Sequence, residues 1–192
     1  MKVNLRNIRG PWDAGWVLDK HMLHSEYVGD NEWGRPQFKN TRTDAGEATY
    51  QLKYKQDWSQ ADALADALVQ HIVPKLGPIH LIIPMAPSTP RPRQPVMAVA
   101  EATAQRLNLI AFADILRKAP GPSLKNLGSR AEKIEALRGR MSLNDQINGA
   151  GPYNALIIDD LYDSGATMEV ACELLRTYPK LGRINVAALT WK

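Results

Sequence analysis

Two adjacent carboxylates, Asp159 and Asp160, follow four apolar residues, Ala155 to Ile158, and precede a turn containing Ser164, Gly165 and Thr167. Paired carboxylates accept hydrogen bonds from neighbouring hydroxyls or bind a hard divalent cation. A turn of small residues opening a helix does the opposite, turning backbone N–H groups and a helix N-terminus towards an anion. A ligand that satisfies both halves carries phosphate together with hydroxyls or a metal, and a phosphorylated sugar has all three. To bring the halves together, Ala155 to Ile158 must form a strand buried on both faces, ending at the ligand edge of an open sheet. The apolar positions Met168, Ala171, Cys172 and Leu175 recur at helical spacing and predict a helix from Met168 to Tyr178, with the tight bend at Gly165.

The elements on either side alternate in the same way. Tyr50 to Lys55 alternates apolar and polar residues and reads as a strand. Ser59 and Asp62 have capping-box spacing, ahead of an apolar stripe of Ala61, Leu64, Ala65, Leu68, Val69 and Ile72 that Pro74 and Gly77 end. Ile79 to Ile83 is a second apolar strand, running into Pro84, Met85, Ala86, Pro87 and Ser88 and then a stiff loop with Arg91 and Arg93. A basic loop at that end of a parallel strand is where an open α/β sheet receives anions. A helix from Pro95 to Leu107 and a short strand from Leu109 to Ala113 follow. Arg117 to Gly128, with Lys118 and Lys125, reads as a basic loop that could close over a polyphosphate. Ser129 and Glu132 open a charged helix to Arg138, and Ile184 to Leu189 is the last strand, with Trp191 at its exit. At least four apolar strands with helices between them predict an α/β fold, a mostly parallel central sheet with flanking helices. No GxGxxG follows the first strand and no GxxxxGK[ST] occurs, which sets aside dinucleotide and P-loop folds.

The 192 residues suffice for one sheet core covered on both faces. A single cysteine, Cys172, excludes a disulfide framework and a cysteine-based zinc site, and its helical register makes it a packing residue. The formal charge of +4 is modest and suits a polyphosphate ligand as well as nucleic acid. No apolar run approaches the roughly 18 residues of a membrane span, and the opening MKVNLRNIRGPWD lacks the apolar core of a signal peptide. The cytoplasm is the expected compartment, with no membrane partner. Residues 1 to 49, punctuated by Trp12, Trp16 and Trp33, show no sustained period and read as an irregular or short-element cap or hood, packed on the sheet by its aromatics. In that segment His21 and His24 lack a third ligand at metal-site spacing and read as a surface pair.

The run ALIIDDLYDSGAT resembles the ribose-phosphate pyrophosphate motif of the type I phosphoribosyltransferases: four apolar residues, two acidic, three variable, then Ser or Thr, Gly, any residue and Thr. All thirteen positions fit. More narrowly, residues 50 to 192 are similar to the competence-associated ComF family, through YQLKYK, the Pro84 loop with Arg91, and Lys133 to Met141. The chain departs from that family in three places. It has no cysteines for the N-terminal zinc ribbon; Arg93-Gln94-Pro95-Val96 stands for the Arg-Gly-x-Asn loop; and Lys133 and Ala136 replace Arg and Asn ahead of Gly139.

The resemblance implies a type I phosphoribosyltransferase-like domain over residues 50 to 192. Its implied reaction is of the glycosyltransferase class: Mg²⁺-dependent transfer of the phosphoribosyl group of 5-phosphoribosyl 1-pyrophosphate to an unidentified, purine-like base, releasing pyrophosphate and a nucleoside monophosphate. It assigns the 5′-phosphate to Asp163, Ser164, Gly165, Ala166 and Thr167, and the ribose hydroxyls or Mg²⁺ to Asp159 and Asp160. Pyrophosphate falls to Pro84, Met85, Ala86, Pro87, Ser88 and Arg91, and loop closure to Lys118 and Lys125. Asp163 either moves a proton at the attacking base nitrogen or caps the following helix. Tyr162 and Trp191 either stack on the base or pack against the N-terminal segment. A homodimer is compatible with the family. Two other functions stay open: a non-catalytic phosphoribosyl- or nucleotide-binding regulator, and a DNA-uptake accessory that binds nucleic acid.

Overall fold

In the computed structural model the apolar run 155–158 is the middle of a strand, Tyr153–Tyr162, hydrogen-bonded to a parallel neighbour on each side. The structure describes residues 1–121 and 127–192, so Lys125 of the expected closing loop lies outside the described residues.

In chain order, β1 (Arg6–Asn7) and β2 (Ala14–Lys20) precede a hairpin of β3 (Met22–Asp30) and β4 (Pro36–Arg42). Helix α1 (Asp44–Tyr50) runs on through a π-helical turn, Gln51–Lys55, and α2 (Ser59–Ala67) through another, Leu68–Ile72. Then come β5 (Leu81–Pro84), α3 (Pro95–Leu107), β6 (Ile110–Ala111), β7 (Leu116–Lys118), α4 (Arg130–Arg138) and β8 (Met141–Leu143). The chain closes with β9 (Tyr153–Tyr162), α5 (Ala166–Arg176) and β10 (Leu181–Trp191). The main sheet has the order β1-β2-β10-β9-β5-β6, parallel throughout except for β1.

Alternation along β9 explains why its apolar run is continuous. Ala155 and Ile157 join the core beneath α5, with Met168, Ala171, Cys172 and Leu175. Leu156 and Ile158 face the other layer, with Leu52 and with Leu64, Leu68 and Val99 of the α2 and α3 region. Helices cover both faces, as a parallel sheet requires. Helix α3 matches the expected span, and Ser129 and Glu132 form the expected reciprocal capping box on α4. Cys172 is fully buried, and burial pushes its thiol up to about 12.

Several expectations are corrected. Tyr50 to Lys55 is helical, because Thr43 caps α1 by accepting from the Gly46 N–H at 2.9 Å and the helix runs on without a break. The alternation that suggested a strand is an i,i+4 pair: the rings of Tyr50 and Tyr54 stack with centroids 5.4 Å apart while Leu52 is buried. Within residues 1 to 49 short elements form: β2 extends the main sheet beside β10, Trp12 and Trp16 pack against the core on its two faces, and α1 spans residue 49. A short β2 among tryptophans offers too few periodic positions to be recognised alone. Asp57, not Ser59 with Asp62, opens α2, accepting from the Ser59 N–H and hydroxyl at 3.2 and 2.6 Å. Only Ile110–Ala111 pairs as a strand within 109–113, and the presumed loop from Arg117 begins in β7, paired with β8.

Removing the Ile157 side chain leaves a cavity in the layer between the sheet and α5. Ile157→Ala should lower unfolding free energy by about 2–5 kcal/mol, read as a shift in the urea midpoint. A change under half a kilocalorie would contradict this account of the core.

Candidate active site

Beyond Tyr162 the chain turns through 163–165 and re-enters the fold as α5. Gly165 makes the turn with φ of 78°, the left-handed region, and a Cβ there would sit 2.7 Å from the Tyr162 hydroxyl. As the N-cap residue, Gly165 brings no side chain to the helix start. Ser164, Gly165, Ala166 and Thr167, at the start of α5, line a cavity of about 120 Å³ together with Asp159, Tyr162, Asp163 and Lys133. Asp163 is exposed and does not cap α5; its carboxylate lies 3.7 Å from the Lys133 ammonium. Helix α4 is braced on this turn by Arg130, which donates to the Ser164 carbonyl at 3.1 Å and ion-pairs with Glu169. Lys133 thus lines this cavity, although sequence reasoning placed it in a segment of family likeness, as a replacement for Arg, and gave it no site role. Its place four residues past the Ser129 cap was the available signal.

A second and larger cavity, about 800 Å³, adjoins the first through Asp159, Leu161 and Thr167. Its wall includes the whole Pro84 to Ser88 segment, Arg91, Lys118, Asp159 and Asp160, so the fold gathers these expected residues around one space. Within it Asp159 accepts the Asp160 N–H at 2.8 Å, and Asp160 is ion-paired with Lys53. Burial, and then the neighbouring Asp160 charge, push the Asp159 carboxyl up to about 7. Burial works against the Lys53 ammonium, but the Asp160 carboxylate outweighs it and holds the lysine above its ordinary range. Lys53 was missed because residues 50–55 read as a strand with the lysines on its solvent face.

Two expected anion contacts already have partners. Arg91 donates from Nη1 to the Lys53 carbonyl at 2.6 Å, and Lys118 donates to the Ser88 hydroxyl at 2.7 Å. Burial lowers the Lys118 pKa, with the Asp159 carboxylate acting in the opposite sense. Lys118 therefore stands on β7 directly across from the Pro84 to Ser88 loop. Tyr162 packs edge-on against Trp12 at 6.4 Å, and Trp191 lies under the Arg6 guanidinium at 4.4 Å, both contacts with the N-terminal segment. His21 lies 3.2 Å from the Thr190 hydroxyl, whereas His24 is on the hairpin.

Among the described residues no three His, Cys, Asp or Glu side chains converge. The two carboxylates nevertheless suit Mg²⁺, which binds through one or two carboxylates, keeps several waters and takes substrate phosphates for the rest.

The raised Asp159 pKa has a sign that can be measured. Between the ordinary carboxyl value of 3.8 and about 7 the folded chain holds a proton that the unfolded chain has released. Stability from this group is therefore full below about pH 4 and is lost as pH rises towards about 7. Urea unfolding of metal-free protein should show Asp159→Asn gaining stability relative to wild type between about pH 4 and pH 7. Parallel pH profiles would refute the assignment.

No protein-family model matches the chain, and neither does any curated protein. Solved structures do. An adenine phosphoribosyltransferase from Trypanosoma brucei, in complex with AMP, pyrophosphate and ribose-5-phosphate, matches with a TM-score of 0.50 and 12% identity, over 98% of this chain and 74% of that one. An adenine phosphoribosyltransferase from Thermoanaerobacter pseudethanolicus matches at 0.46 and 13% identity, over 89% and 96%. A hypoxanthine phosphoribosyltransferase from Staphylococcus aureus matches at 0.44 and 14% identity over 70% of this chain, which spans 65% of that enzyme's length. The trypanosomal likeness shows the fold: α/β, with the type I phosphoribosyltransferase-like arrangement of a largely parallel sheet between helices.

Proposed function

We propose that the chain binds 5-phosphoribosyl 1-pyrophosphate with Mg²⁺ across the two adjoining cavities and transfers its phosphoribosyl group to a purine-like base. The observation that carries this reading is Asp159, which lines both the cavity at the start of α5 and the larger one, with Asp160 beside it on the wall of the larger one. The 5′-phosphate is held by N–H groups of 163–167, the Ser164 and Thr167 hydroxyls and the Lys133 ammonium. Asp159 and Asp160 take the ribose hydroxyls, and their charge favours the electron-poor C1 centre. Pyrophosphate lies along Pro84 to Ser88, within reach of Lys118. The base nitrogen attacks C1, the bond from C1 to the pyrophosphate oxygen breaks, and its electron pair leaves with pyrophosphate. When bound, Mg²⁺ neutralises charge on that leaving group. Asp163, exposed at the turn, accepts the proton from the base nitrogen.

The ComF-like assignment belongs to the same proposal and rests on the sequence segments quoted for it. A second reading, a non-catalytic phosphoribosyl- or nucleotide-binding regulator, is favoured by one contact. Arg91, the expected pyrophosphate ligand, is engaged by the Lys53 carbonyl.

Calorimetric titration with 5-phosphoribosyl 1-pyrophosphate should show Mg²⁺-dependent binding by wild type, lost in a double Asp159→Asn, Asp160→Asn variant. No binding by wild type would overturn the transferase reading, and no binding of a nucleoside monophosphate either would overturn both. If binding is seen, pyrophosphate release with purine bases separates transferase from regulator. Asp163→Asn should then lower turnover about 10²–10⁴-fold with ligand affinity nearly unchanged. Unchanged turnover would remove Asp163 from the chemistry.

A further inference from the structure

The widened helical turn Gln51–Lys55 carries Lys53 across to the end of β9, a contact between residues 107 apart in sequence. Two features fix the lysine there. Leu52 beside it is buried in the core under α2 and α3, and the Arg91 guanidinium holds its carbonyl at 2.6 Å. Its side chain is 28% exposed and that of Asp160 is 18%, so solvent screens the pair only in part. Of the four carboxylate oxygens of the acidic pair, one on Asp160 is taken by the lysine and one on Asp159 by the Asp160 N–H. The pair therefore faces the larger cavity with a positive charge already seated on it.

We propose that Lys53 is the built-in counter-ion of the acidic pair, holding on Asp160 the place of a divalent cation, so that lysine and metal compete for that carboxylate. This rests on the reading of Asp159 and Asp160 as a magnesium site. In the ligand-free protein the lysine keeps two like charges together at a buried strand end and weakens metal binding. It also links metal occupancy to the Pro84 loop, since the residue that a metal displaces is the one whose backbone Arg91 grips.

The test is calorimetric titration of the full ligand-free chain with Mg²⁺, repeated with Mn²⁺ as a paramagnetic probe, with no phosphoribosyl ligand present. Lys53→Met should bind the metal at least about tenfold more tightly than wild type, and Lys53→Arg, which keeps the charge, should stay near wild type. Should circular dichroism show Lys53→Met unfolded, Lys53→Gln carries the same expectation. Equal affinities, weaker binding by the neutral variant, or no metal binding by either would overturn the proposal. The phosphoribosyl reading fails separately. A wild type that ignores 5-phosphoribosyl 1-pyrophosphate while Lys53→Met gains metal overturns that reading and leaves the competition standing.

Discussion

Ending a strand that is buried on both faces with two adjacent carboxylates sets like charges side by side where water is scarce. Neither partial protonation nor a counter-ion alone describes how the fold tolerates them. Asp159 is held well above the ordinary carboxyl range, whereas the Asp160 carboxylate is ion-paired with Lys53. The two acids thus have different environments although both line the larger cavity: Asp159 accepts the Asp160 N–H, and Asp160 meets Lys53.

Three cations tie distant segments to that edge, each by a contact with backbone or a neighbouring side chain. Arg91 joins the Pro84 loop to the turn after α1, Lys118 joins β7 to Ser88, and Arg130 joins α4 to the turn before α5. Each contact spans at least 30 residues of sequence, so the surroundings of the two cavities are built from segments far apart in the chain.

The parts of the site legible in the sequence are those whose chemistry and backbone geometry coincide. Asp159, Asp160, Ser164, Gly165 and Thr167 lie in one short run, and strand, turn and helix follow from apolar periodicity and a glycine that the turn requires. Helix α3 was equally legible, since Pro95 at its first position and Asn108 in the left-handed conformation after its end mark both boundaries. Residues 50–55 were not, because six residues alternating by two satisfy a strand and an i,i+4 helical pair alike. That one ambiguity hid Lys53. Residues 1–49 were illegible for another reason: β2 is a sheet strand by virtue of pairing with β10, and no local period announces it.

Sequence alone determined the α/β alternation, the burial of β9 and the glycine turn at the start of α5, because each follows from local periodicity and backbone stereochemistry. It also set the identity of the paired acids. Tertiary structure decided which cations meet them: Lys53 reaches Asp160 from a helix early in the chain, Lys133 reaches Asp163 from α4, and Arg91 turns to the Lys53 carbonyl. Electrostatic partners are chosen by distance in space, and no spacing along the chain encodes a contact between elements that meet only when the sheet closes.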